Sequence, residues 1–315
     1  MSKKKKKQFR ADFRKNRNVR TRDKSMTRNL DETQREEGDF ARSEQISGKG
    51  ELTRKRTVAG GEIVEDDAGS TVLPAIDEQT WLPGRVLAVR GLISIVQSDR
   101  DENAVYQCAT RRLLKTLATD QRHVVAAGDR VWFRPHGENE GIIERVEPRY
   151  GVISRVSRKR QHVIVANVDQ LLIVASAAEP YLKPNLIDRF LVTAERTRVR
   201  PIIAVNKIDL VDPADLQPLI GVYSQLGYAV RLISAKTGQG IERLRNDLKN
   251  RETAVAGQSG VGKSSVLNAI DPKLQLRTSE VSAETQKGKH TTTTAALLPL
   301  YFGGYVVDTP GIRQF

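Results

Sequence analysis

The chain has a single cysteine, Cys108, among 315 residues. One thiol makes neither an internal disulfide nor a zinc site, which suits a reducing compartment, and a cytoplasmic protein is expected. Cys108 falls in an alternating segment and reads as packing. No apolar run approaches the roughly twenty residues that cross a bilayer, so no membrane role is expected. The basic N-terminus is not followed by the apolar stretch of a secretory signal. Aromatic residues make up 5% of the chain, and its first sixty positions hold few aromatic or β-branched residues to bury. Ordering entropy there goes uncompensated.

Positive charge fills those positions instead. Residues 3–7 are five consecutive lysines, and residues 1–60 carry 19 Lys/Arg against 9 Asp/Glu, a balance of +10 out of +14 for the chain. Residues 1–75 are therefore read as a disordered basic arm. It either solubilises the protein or lies along nucleic-acid phosphates and releases counterions.

Short β-like runs follow at 84–89, 92–97, 104–108, 130–134 and 141–146, separated by Gly, Asp and Asn turn chemistry. Five short strands within residues 76–150 predict a small all-β barrel of the OB type, a fold that often binds RNA. An SH3-like barrel fits the same pattern.

From 151 to 315 the rhythm becomes strands alternating with helices, the pattern of an α/β fold with a parallel sheet covered on both faces. Apolar strand runs occur at 171–175, 202–205, 230–233, 254–256, 295–300 and 305–307. Leu186, Ile187, Phe190, Leu191 and Ala194 recur at helical spacing after Asn185, a candidate N-cap. A second helix is expected at 241–248 and a third from Lys263. The helix that should follow the last strand is missing before Phe315, and a C-terminally incomplete sequence is expected.

Three nucleotide motifs stand in rotated order. Gly257-Gln258-Ser259-Gly260-Val261-Gly262-Lys263-Ser264, followed by Ser265, is a P-loop between a strand and a helix. Its glycines let backbone N–H groups face phosphates at a helix N-terminus, with Lys263 on the β- and γ-phosphates and Ser264 on magnesium. Asn206-Lys207-Ile208-Asp209 precedes it, at the carboxyl end of a strand where ligands bind in open α/β sheets. The Asp209 carboxylate can accept both the N1 and N2 protons of guanine, a donor pair that adenine lacks. Lys207 can lie along the base, Asn206 can tie loops together, and the amides of Ser234-Ala235-Lys236 are placed to meet guanine O6.

Asp308-Thr309-Pro310-Gly311 comes last, with Asp308 toward magnesium through water and the Gly311 N–H toward the γ-phosphate. Within the run Thr291 to Thr294, Thr292 is expected to complete the magnesium shell. The position after Gly311, where many GTPases carry a water-orienting glutamine, is Ile312, so slow intrinsic hydrolysis is expected. His290 is the candidate catalytic group within the chain. The motifs imply GTP and GDP as ligands on a circularly permuted P-loop GTPase fold. A GTP-regulated RNA-binding protein with negligible hydrolysis is the alternative; a small-molecule kinase would not need residues 206–209.

In the permuted order, the OB-like segment, residues 185–191, Gly257 to Ser265 and Gly288 to Thr293, the chain resembles the circularly permuted GTPases of small ribosomal subunit biogenesis, the RsgA or YjeQ family. The resemblance implies GTP hydrolysis on the maturing small subunit, triggered by ribosome contact, with the barrel against 16S rRNA. It also implies a zinc ion, held in a full-length family member by three cysteines and a histidine of a C-terminal domain that these residues do not supply. A monomer is expected. Deleting the arm should leave nucleotide binding intact while flattening the slope of log K against log[salt] for RNA by about 0.7 to 0.9 per contact removed. An unchanged slope in RNA titrations at several salt concentrations would reduce the arm to a solubility tail.

Overall fold

The computed structural model describes residues 8–12, 55–59, 61–66, 69–101, 103–111, 114, 124–157, 160–276 and 295–308. They divide into two units. In the first, the stretch expected to be an unstructured arm contains two antiparallel ladders. Strand β1 (Gln8–Asp12) pairs with β2 (Lys55–Ala59), and β3 (Gly61–Asp66) pairs with β4 (Gly69–Pro74). Leu73 is buried and the Pro74 carbonyl accepts from Arg145 Nη1 at 2.8 Å. The barrel side of the boundary thus begins before residue 76, and a deletion of the arm should stop short of residue 61.

Alternation of side chains builds the barrel. β5 (Leu82–Arg90) turns Gly84, Val86 and Ala88 inward, and β6 (Ile93–Ser98) turns Ser94, Val96 and Ser98 inward. β7 (Val105–Thr110), β8 (Arg130–His136) and β9 (Glu140–Val146) complete the set. The pairs β5–β6, β6–β7, β8–β9 and β5–β8 are antiparallel, whereas β7–β9 is parallel. The β5–β8 pairing closes the ring, and the parallel pair makes its order OB-like, deciding between the two barrels the pattern allowed.

Gly84 pairs with both neighbouring strands, and a Cβ there would lie 2.6 Å from the Gln97 carbonyl oxygen and 2.9 Å from the Phe133 ring. Closure needs a glycine at that point. Inside, Val86, Val96, Cys108, Val131, Phe133 and Ile143 form the core, with the Tyr106 ring 4.9 Å from that of Phe133. Burial pushes the Cys108 thiol up to about 12, so it packs as an inert apolar group.

In the second unit, β10 (Ile153–Ser157) and β11 (Arg160–Val165) pair as a separate two-stranded sheet that the charged sequence did not suggest. The main sheet contains β12 (Gln170–Ser176), β13 (Arg200–Asn206), β14 (Ala229–Leu232), β15 (Glu252–Ala256), β16 (Ala296–Pro299) and β17 (Tyr305–Asp308), in the order β14-β13-β12-β15-β17-β16. All six expected strands are present. Five run parallel, but β16 is antiparallel to β17, which corrects the all-parallel expectation. The connection is the reason: four residues after Leu300 return the chain through Gly303 and Gly304, both near φ 90°, too short for a parallel crossover.

Helix α1 (Pro184–Arg196) packs on β12 and β13, where Leu186, Ile187 and Phe190 meet Ile173 and Ala175 around a cleft. Its N-cap is Lys183 rather than Asn185, because Pro184 takes the first helical position with its φ already set. α2 (Gln217–Gln225) was not expected; it buries Tyr223, whose hydroxyl donates to Asp188 Oδ1 at 2.8 Å. α3 (Ile241–Leu248) and α4 (Lys263–Ile270) share a core on the other face with Leu172, Val174, Ile202, Ala204, Val255 and Val306.

Truncation in either core should cost what its burial provides. Phe133→Ala removes a fully buried ring and is expected to destabilise the barrel by about 3–5 kcal/mol. Denaturant unfolding of the full chain should show an earlier barrel transition, with nucleotide binding to the second unit retained at low denaturant.

Candidate nucleotide site

β12 and β13 end level with one another, Ser176 paired with Asn206, and β15 ends three residues short of them, Ala256 paired with Ile173. Everything that carries a nucleotide motif among the described residues leaves the sheet at this edge. After Ala256 the chain turns at Gly257, φ 146°, where a Cβ would stand 2.2 Å from the Val174 carbonyl oxygen. Residues 257–262 therefore wrap tightly over the end of β12, and α4 opens at Lys263 with Gly262 as its left-handed N-cap. The first N–H groups of α4 have no intrahelical partner and sit at the positive end of its dipole.

Lys263 Nζ reaches the carbonyls of Gly257 and Gln258 at 3.0 and 2.8 Å, so its charge is folded back over the loop. Ser264 and Ser265 lie half-buried in the first turn of α4. A loop that admits no Cβ at Gly257 or Gly262, a lysine ammonium over it and a helix N-terminus beneath it fit the phosphates of a nucleotide. Ser264 places a hydroxyl in that first turn, an oxygen of the kind that could serve a phosphate-bound magnesium ion.

Asn206, 2% exposed, ends β13 and joins three loops. Its Nδ2 donates to the Val261 carbonyl at 2.9 Å, and its Oδ1 accepts from Ala235 N at 3.0 Å. Lys207 follows in the left-handed region at φ 67°, and its Nζ donates to the carbonyls of Glu179 and of Gly260, the latter at 3.0 Å. Ile208 is buried, whereas Asp209 stays exposed, with Oδ1 accepting from Ser234 Oγ at 2.6 Å. The Ser234 hydroxyl also accepts from Thr237 N at 3.1 Å. Asp209 is thus aimed by a buried hydroxyl that is itself fixed, a link invisible in the motifs.

The expectation for guanine O6 narrows. Ser234 N already donates to the Gln239 carbonyl at 2.9 Å and Ala235 N to Asn206, whereas Lys236 lies in an exposed turn. Asp308 ends β17, beside the P-loop strand β15. Thr292, His290 and Gly311 lie outside the described residues.

A phosphate loop on the central strand and a base-reading loop on an earlier one define a P-loop GTPase of permuted strand order. A family model described as RsgA GTPase matches residues 146–315. The small ribosomal subunit biogenesis GTPase RsgA of Chlorobaculum parvum is 40% identical, over 74% of this chain and 78% of its own length. Its counterpart in Bacteroides fragilis is 37% identical, over 73% of this chain and 76% of its own. Among solved structures, YjeQ from Thermotoga maritima superposes with a TM-score of 0.59 at 37% identity, covering 73% of this chain and 75% of that one. YloQ, a circularly permuted GTPase, superposes at 0.55 with 28% identity, over 76% and 75%. The chain belongs to the RsgA GTPase family. It is a GTP hydrolase with circularly permuted topology.

The Asn206 tie has a measurable weight. Asn206→Ala leaves the Val261 carbonyl and the Ala235 N–H without their side-chain partner, at a cost of about 1–3 kcal/mol. Titration with a fluorescent GDP should show at least about a fivefold weaker affinity. Gly262→Ala should weaken it too, since the new Cβ falls 2.6 Å from Asn206 Nδ2.

Proposed function

We propose that this GTPase acts in late maturation of the small ribosomal subunit, binding 16S rRNA through its barrel and basic arm and hydrolysing GTP on contact with the subunit. The observation that carries the reading is the site joined at Asn206, where a phosphate loop and a guanine-type base reader converge, in a chain whose relatives bear the name of small ribosomal subunit biogenesis GTPases. The closed five-stranded barrel, an OB-fold in strand order, supports RNA binding, because that architecture commonly holds oligonucleotides. The protein works as a cytoplasmic monomer.

In this reading Asp209 accepts the guanine N1 and N2 protons, Lys207 lies along the base and Lys236 N meets O6. Gly257 through Ser265 cradle the phosphates, and Lys263 neutralises charge that grows on the γ-phosphoryl oxygens as the bond to it breaks. Ser264, Thr292 and Asp308 would hold magnesium, which would supply positive charge to offset that build-up, and the Gly311 N–H senses the γ-phosphate. Ile312 has no group to orient water, so the attacking water is positioned by His290 or by the ribosome. Turnover is then slow in the free protein.

GTP turnover with and without purified small subunits tests the activity: stimulation of tenfold or more is expected, and none at all would leave a GTP-regulated RNA binder. For the base reader, Asp209→Asn should lose GTP preference and gain xanthosine triphosphate, whose extra carbonyl accepts from the new amide. Loss of a charge-assisted pair of this kind costs about 2–5 kcal/mol. A variant that binds GTP as wild type and still rejects xanthosine triphosphate removes Asp209 from the role.

A further inference from the structure

The turn between β16 and β17 sits at the opposite end of α4 from the phosphate loop. It carries an aromatic side chain where a surface turn needs none. Tyr301 is 53% exposed, yet it is held firmly. Its ring stands edge-on to Phe302, with centroids 5.0 Å apart and planes at 88°, and its backbone N–H donates to the buried Asp271 carboxylate at 2.9 Å. Two cations lie over the ring from different elements: Arg245 of α3 and Lys273, just beyond α4, each 5.8 Å from its centroid. Arg245 is fixed as well, because its Nε donates to the Ile270 carbonyl at 3.0 Å. Exposed Arg251 belongs to a strand of chain bonded to the same turn, its carbonyl accepting from Tyr305 N at 2.9 Å.

The acids nearby are already engaged. Asp271 is 1% exposed and spends its oxygens on the N–H groups of Lys273 and Tyr301. Glu242 pairs with Arg245, and Asp247 takes a bidentate grip from Arg231. What remains toward solvent is a half-exposed ring flanked by Lys273 and by Arg245, the latter already paired with Glu242.

We propose that Tyr301 is a stacking platform for an unpaired base of single-stranded RNA, with Lys273 and Arg251 taking the adjacent phosphates. Stacking on an aromatic face is tolerant of sequence, and an immobilised ring loses little freedom on meeting a base. A duplex hides its base faces and has no use for the ring. An acidic protein segment would satisfy the cations but leave the half-exposed ring without a stacking partner. The surface is compatible with bound nucleotide because the phosphate loop lies a whole helix away, about 12 Å along α4. The proposal deepens the RNA-binding reading above by naming a contact on the GTPase unit itself.

The test uses the full chain and a 12-nucleotide oligouridine containing 4-thiouridine. Irradiation should crosslink the RNA to the peptide containing Tyr301, and Tyr301→Ala should abolish that crosslink while GDP affinity, the control for folding, stays unchanged. In anisotropy titrations Tyr301→Ala should weaken oligouridine about tenfold and leave duplex RNA unaffected, whereas Tyr301→Phe should bind as wild type. Lys273→Gln should lower the salt slope by about 0.7. Crosslinks confined to the arm or barrel, or equal loss on single-stranded and duplex RNA, would overturn the platform. So would a crosslink from this face to a ribosomal protein instead of RNA on intact small subunits. Subunit-stimulated GTP turnover, measured on the wild type, judges the broader function independently.

Discussion

The nucleotide site depends on one neutral side chain. The Asn206 amide gives a hydrogen bond to Val261 and takes one from Ala235, so the loop for phosphates and the loop for the base are held to the end of the same strand. A carboxylate could accept but not donate, and an ammonium could donate but not accept; a planar amide does both from one group. Away from water both bonds strengthen, and either partner left alone would carry the full cost of desolvation. Gly262 is part of the same constraint, since only a residue without a Cβ lets the amide come this near.

The positive groups build on that frame. Lys207 crosses from the base-reading loop to Gly260 of the phosphate loop, and Lys263 turns back over its own loop at Gly257 and Gln258. Asp209 meets a fixed Ser234 hydroxyl. Each of these three side chains is thus anchored by backbone or by a buried neighbour, which reduces the ordering that binding must impose.

The sheet was legible because its strands are buried on both faces and read as continuous apolar runs, as in Leu171 to Ala175. α3 could be read from Ile241, Leu244 and Leu248 at helical spacing. α2 could not: its exposed face carries Val222, so its apolar residues do not follow burial. The direction of β16 depends on a four-residue turn, which apolar patterning does not report. At the site, motif spacing located the loops, but it could not tell that the Ser234 and Ala235 amides are consumed by Gln239 and Asn206. Hydrogen bonds between distant loops leave no periodic trace.

The permuted strand order also sets the sequence of events during synthesis. β12, β13 and β14 follow one another in the chain and lie side by side in the sheet, so the half that reads the base closes through short-range contacts. β15 and β17 join that edge only later, adding the phosphate half to a template already paired along β12. Emerging from the ribosome from its N-terminus, the protein builds its means of recognising guanine before its means of holding phosphate. Nucleotide capture is thereby deferred until the last strands are in place.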